Sequence, residues 1–108
     1  MNYRGKELNT IGEVFDEALR IAKTNNKDEA YDFFYAYVNL ISTENKYSWD
    51  KSIEIAKANL GYFAGYYNEE VCDIIYKTYN CCHPIFGDKP FSVDPVEAFN
   101  KGLNYSAN

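Results

Sequence analysis

An all-α domain is what this sequence predicts: a compact bundle of four helices in two antiparallel hairpins, closed by a short C-terminal helix. Three observations carry that expectation. Between Ile11 and Tyr79 the apolar residues recur at intervals of three and four, the period of a helix face and not the alternation of a strand. Each periodic stretch follows a residue that caps helices well, namely Thr10, Asp28, Ser48 and Asn68. Beyond Asn80, three prolines and a glycine fall within the fifteen residues from Cys81 to Pro95, so that segment is expected to be irregular.

Residues 1–9 read as a loose polar lead-in and 104–108 as a fraying end. Thr10 and Glu13 have the form of a capping box that opens a helix over Ile11–Thr24. Its inward stripe is Ile11, Val14, Phe15, Ala18, Leu19 and Ala22, and Asp16 with Arg20 is placed as an i,i+4 ion pair. Asn25-Asn26 ends it. Asp28 opens a second helix through Thr43, with Ala30, Phe33, Phe34, Tyr37, Val38 and Ile41 inward and Tyr31 and Tyr35 on a half-exposed side.

The third helix starts at Ser48, with Trp49 in its first turn, and centres on Ser52–Tyr67. Ile53, Ala56, Leu60, Phe63 and Tyr67 lie on one face of it, and Ala58, Gly61 and Gly65 form a row with almost no side chain. Glycine inside a helix costs roughly 1 kcal/mol relative to alanine, so the row is expected to serve close packing against another helix. Asn68 ends this helix and caps the fourth, Glu69–Asn80, whose apolar side is Val71, Cys72, Ile75 and Tyr79. Asp94-Pro95 then opens the final short helix through Leu103. Two helix–turn–helix units thus occupy 10–43 and 49–80. In the second, Leu60-Gly61, Tyr76 and Pro84 resemble the cadence of tetratricopeptide repeats, with Ala64 where that family has an aromatic.

The whole chain, 1–108, makes one domain, and its 46% hydrophobic and 25% charged residues suffice for a core without disulfide or metal. A formal charge of −5 with dispersed lysines and arginines disfavours nucleic-acid binding. No apolar run approaches the ~18–20 residues of a membrane span, and the N-terminal ten residues lack the apolar core of a signal peptide. A cytoplasmic protein is expected. Tyrosine is the outlier, at eleven residues. AT-rich coding favours it, and so do interfaces, because it joins a large apolar body to a polar tip.

Few residue constellations could carry chemistry. Cys81-Cys82-His83 presents three metal-ligand types, but adjacent residues cannot converge tetrahedrally on one ion, and neither metal nor cofactor is expected. A thiol-dependent enzyme would pair Cys72 or Cys81 with His83, oriented by Asp73 or Asp88; no glycine-rich loop after a strand supplies its oxyanion hole. Glu69, Glu70 and Asp73 suit the start of a helix. The remaining candidate is an aromatic binding surface formed by Tyr62, Tyr66, His83, Ile85 and Phe86.

Asn59-Leu60-Gly61-Tyr62-x-Ala64-Gly65-Tyr66-Tyr67, followed by His83-Pro84-Ile85-Phe86-Gly87, resembles a segment of short uncharacterised bacterial and bacteriophage proteins. The resemblance covers residues 58–87 and implies that Gly61, Gly65 and the 83–87 turn form one structural unit; it implies no activity. The expected function is non-enzymatic binding of another protein or of a second copy as a homodimer, with a thiol-dependent enzyme as the alternative.

Overall fold

The computed structural model describes residues 1–81 and Phe99. It is built on four helices: α1 (Ile11–Thr24), α2 (Lys27–Asn45), α3 (Trp49–Ala64) and α4 (Glu69–Tyr79). The expected C-terminal helix lies outside the described residues apart from Phe99, which is helical and buried beside Tyr37 with ring centroids 6.5 Å apart.

Capping chemistry sets the helix starts. Thr10 Oγ1 accepts from the Glu13 backbone N–H at 3.1 Å and donates to the Glu13 carboxylate at 3.3 Å, so side chains satisfy groups the first turn leaves open. Ser48 accepts from Lys51 N–H at 3.2 Å and Asn68 from Val71 N–H at 2.9 Å. The cap of α2 is Asn26, not Asp28: its Oδ1 takes the Glu29 N–H at 3.1 Å. Asn25 has already left the helix in the left-handed region, so Asn26 is the first extended residue from which α2 can start.

The N-terminal residues depart from the loose lead-in expected of them. Asn2–Tyr3 (β1) and Lys6–Glu7 (β2) pair antiparallel, Asn2 opposite Glu7 and Tyr3 opposite Lys6. Arg4 and Gly5 both have positive φ, 50° and 84°, the geometry that closes a two-residue hairpin with the strands' own twist. The Met1 ammonium donates to Leu8 O at 2.9 Å and Leu8 N–H to Met1 O at 2.7 Å, extending the pairing. Strands of two residues are too short to show a period, so the pattern gave no warning. Tyr3 and Leu8 are buried, and Tyr3 meets Phe33 of α2 edge-on at 4.9 Å.

A buried carboxylate fastens this hairpin to the helices. Glu17, nearly enclosed on α1, is held by Lys6 at 3.0 Å and by Arg20, and Arg20 also reaches Glu29 of α2 at 3.3 Å. The expected Asp16–Arg20 pair does not form; a buried carboxylate needs its counter-charge more than an exposed one does. Burial pushes the Glu17 carboxyl up, but hydrogen bonds from Arg20 and Lys6 outweigh it and hold the group below its ordinary value.

The most extensive helix contact is between α2 and α3. The buried face of α3 is Ser52, Ile55, Ala56, Asn59, Leu60, Gly61 and Ala64. This corrects the expected stripe: Ala56 and Leu60 are inside, Ile53 and Phe63 are half-buried, and Tyr67 lies beyond the helix end, exposed. Asn59 Nδ2 donates to the hydroxyl of the fully buried Tyr37 at 2.8 Å, and Ser52 Oγ returns to Ser48 O at 2.8 Å. On α4, the Tyr79 hydroxyl donates to Ala18 O of α1 at 2.6 Å.

These contacts generate three predictions. Tyr37→Phe should cost about 1–3 kcal/mol in urea unfolding, because it strands the buried Asn59 amide. Tyr3→Phe should cost nothing, since the buried Tyr3 hydroxyl has no hydrogen-bond partner among the described residues. Because the folded-state pKa of Glu17 is lowered, its stabilising contribution is complete above the unfolded value of about 4.3 and disappears as pH falls through the folded value. Glu17→Gln should therefore give a midpoint that varies less with acid than the wild type does; equal slopes below pH ~4.3 would refute the linkage.

Candidate functional site

The end of α3 is built to bring aromatic side chains to the surface. Gly65 N–H reaches Tyr62 O at 3.2 Å, Tyr66 N–H reaches Phe63 O at 3.0 Å, and Tyr67 N–H reaches Ala64 O at 3.1 Å. These bonds span three residues, not four, so the chain tightens as the helix ends. Asn68 then turns extended and starts α4. Tyr66 and Tyr67 ride on that tightened turn, 65% and 48% exposed.

Their rings form one contiguous run. Tyr62 and Tyr66 meet edge-on at 5.2 Å, and the Tyr66 hydroxyl donates to that of Tyr62 at 2.9 Å. Phe63 lies 5.5 Å from Tyr66 and 6.1 Å from Phe15 of α1, and Phe15 lies 5.1 Å from Tyr67. The Tyr67 hydroxyl donates to Asp16 at 2.8 Å. That bond, reinforced by burial, pushes the tyrosine pKa up, so the proton stays on the phenol. With Glu69 and Glu70 exposed immediately after the turn, the aromatic run has an acidic edge.

Of the five residues expected in the binding surface, Tyr62 and Tyr66 are together, while His83, Ile85 and Phe86 lie outside the described residues. In the close-packing row, Gly61 is buried, Ala58 is half-buried, and Gly65 is exposed as the C-cap of α3. The row is thus not a continuous buried stripe. Phe15, Phe63 and Tyr67 complete the run and were read from the sequence as core. A signal for Tyr67 was available: Gly65 and Asn68 flank it as helix-ending and helix-starting residues, so it could not continue the stripe of α3.

The thiols are placed differently. Cys72 and Cys81 are buried, 3% and 1% exposed, and Cys82 and His83 lie outside the described residues. Burial, with Asp73 and Glu69 nearby, pushes the Cys72 thiol up, the opposite of what activates a nucleophile. Among the described residues no group of three His, Cys, Asp or Glu is arranged to hold a metal ion, and no helix is long and apolar enough to cross a membrane.

Compared with protein-family models, curated proteins and solved structures, the chain finds no match in any of the three.

The environment of Cys72 predicts its reactivity. In the native protein at neutral pH, iodoacetamide should label it far more slowly than a free cysteine, and unfolding in urea should remove the protection. Mass spectrometry of the labelled peptide reads the difference; fast native labelling would show a depressed thiol.

Proposed function

We propose that this protein is a non-enzymatic binding module that recognises a partner protein through the aromatic run at the α3–α4 turn. One observation carries the reading: Tyr66 and Tyr67 are 65% and 48% exposed within a contiguous series of rings supported from beneath by Phe15 and Phe63. Tyrosine concentrates binding energy at interfaces because its ring is rigid and its hydroxyl can be paired. Asp16, Glu69 and Glu70 beside the rings favour a partner with a basic surface. They disfavour a second copy, since two chains of formal charge −5 would bring like-charged edges together. The reading extends to the expected 83–86 turn as a continuation of the surface, to two antiparallel hairpins closed by a C-terminal helix, and to a cytoplasmic setting. A bacterial or bacteriophage origin rests on the resemblance of residues 58–87 alone.

Tyr66→Ala tests it. An exposed ring contributes little to the fold, so thermal unfolding should shift by no more than about 0.5 kcal/mol. A protein captured by the tagged wild type should be lost by this variant, with affinity falling about thirtyfold if Tyr66 is a hot spot, and raised salt should weaken the capture. The same proteins retained by both chains would refute the assignment. A concentration-dependent dimer in sedimentation, abolished by Tyr66→Ala, would make a second copy the partner.

A further inference from the structure

At the other end of α1 and α4 from the aromatic run, the last turns of these two helices meet the start of α2 around a half-open cleft of about 630 Å³. Small-molecule sites typically enclose about 300–1,000 Å³. Three helices each contribute a lysine to the lining: Lys27 opens α2, Lys57 comes from the middle of α3, and Lys77 from the last turn of α4. Among the described residues no aspartate or glutamate lines the cleft, and none forms an ion pair with any of the three lysines.

Three cations of the neighbouring elements are held in ion pairs: Lys6 by Glu17, Arg20 by Glu17 and Glu29, and Arg4 by Asp32 at 3.2 Å. Of the α2 carboxylates beside the cleft, Glu29 is engaged by Arg20 and Asp32 by Arg4, while Asp28 adjoins Lys27 without entering the lining. Three lysines from three helices lining one cleft, with no carboxylate in that lining, favour an anion among them. The start of α2 adds the positive end of its dipole. The wall beside the lysines is aromatic, with Tyr31 and Tyr35 at 4.5 Å, their planes 47° apart. Tyr31 is 64% exposed.

We propose that this cleft binds a small organic anion that joins a flat ring to a phosphate, the chemistry of a mononucleotide. The ring stacks on Tyr31 and Tyr35, and the phosphate is shared by Lys57, Lys77 and Lys27. The site is independent of the protein-binding surface.

Trp49, the single tryptophan, reports on it directly, because its ring is stacked on Tyr35 at 5.8 Å and 13°. Adenosine monophosphate, adenosine and inorganic phosphate are titrated separately against the full chain, following Trp49 fluorescence and calorimetric heat. The monophosphate should bind, and the other two should each bind at least about tenfold more weakly, since each keeps only half of the contacts. Lys57→Gln with Lys77→Gln should weaken the monophosphate at least about tenfold and leave adenosine unchanged. Tyr31→Ala should weaken the monophosphate and adenosine and leave phosphate unchanged. All substituted side chains are exposed or half-buried, and circular dichroism confirms the fold of each variant. No binding of the monophosphate at about 1 mM, unchanged affinity in the lysine variant, or phosphate alone binding as tightly as the monophosphate would overturn the proposal.

Discussion

The hydroxyl of Tyr37 fixes how α3 lies in the domain. Tyr37 is the largest side chain enclosed completely in the core, and a buried hydroxyl without a partner costs about 1–3 kcal/mol. Among the described residues the partner is Asn59 of α3. To deliver Asn59 inward, α3 must present the face that also carries Ser52, Ile55, Ala56 and Leu60. Successive residues turn by about 100° around a helix, so this choice swings Ile53 and Phe63 to the flank. The small side chains of Ser52, Ala56 and Ala64 share the inward face and let α2 approach closely. Tyr66, on the tightened turn beyond the helix end, is exposed. The internal hydrogen bond leaves Phe63 on the flank, where it meets Tyr66.

The helices themselves were legible because their signals are local. A capping residue, a period and a break at Asn25 or Asn68 are each settled within a few residues of the chain. The rotation of α3 is a different kind of fact. Judged by hydrophobicity alone, Ile53 and Phe63 belong inside and Asn59 outside; only the need of Tyr37, twenty-two residues away, reverses that order. The pairing of Arg20 was misjudged for a similar reason. Asp16 and Glu17 both lie within reach along the helix, and Glu17 takes the arginine because the N-terminal hairpin and α2 bury it. The hairpin closes through Arg4 and Gly5 at positive φ, and four strand residues hold no period from which to read it.

The two surface features differ in the same way. Tyr62 and Tyr66 are four residues apart on one helix, so their contact follows from spacing. Closing the run through Phe15 needs α1 to cross the end of α3, which no local pattern states. The lysine cleft was wholly hidden. In the sequence Lys27, Lys57 and Lys77 stand far apart in a dispersed basic population, and that dispersal read as the absence of a cationic surface. The fold collects them at one end, while Asp16, Glu69 and Glu70 gather at the other. A net charge describes the sum and says nothing about this separation.

Burial divides the tyrosines in a way that composition cannot. Tyr37 and Tyr79 are core residues whose hydroxyls are spent on internal bonds. A coding bias toward tyrosine would place the exposed ones wherever substitution is tolerated, scattered over the surface. They are not scattered. Among the described residues the exposed large apolar side chains are Tyr31, Trp49, Tyr66, Tyr67 and Tyr76, and all but Tyr76 belong to a contiguous series of rings. Tyr31 connects through Tyr35 to Trp49 beside the lysine cleft; Tyr66 connects through Phe63 and Phe15 to Tyr67 at the acidic end. Exposed rings contribute little to folding, and contiguity gives them a use that isolated rings lack, because a ligand or partner gains affinity from several faces at once. Codon bias would raise the number of tyrosines without grouping them at two oppositely charged ends.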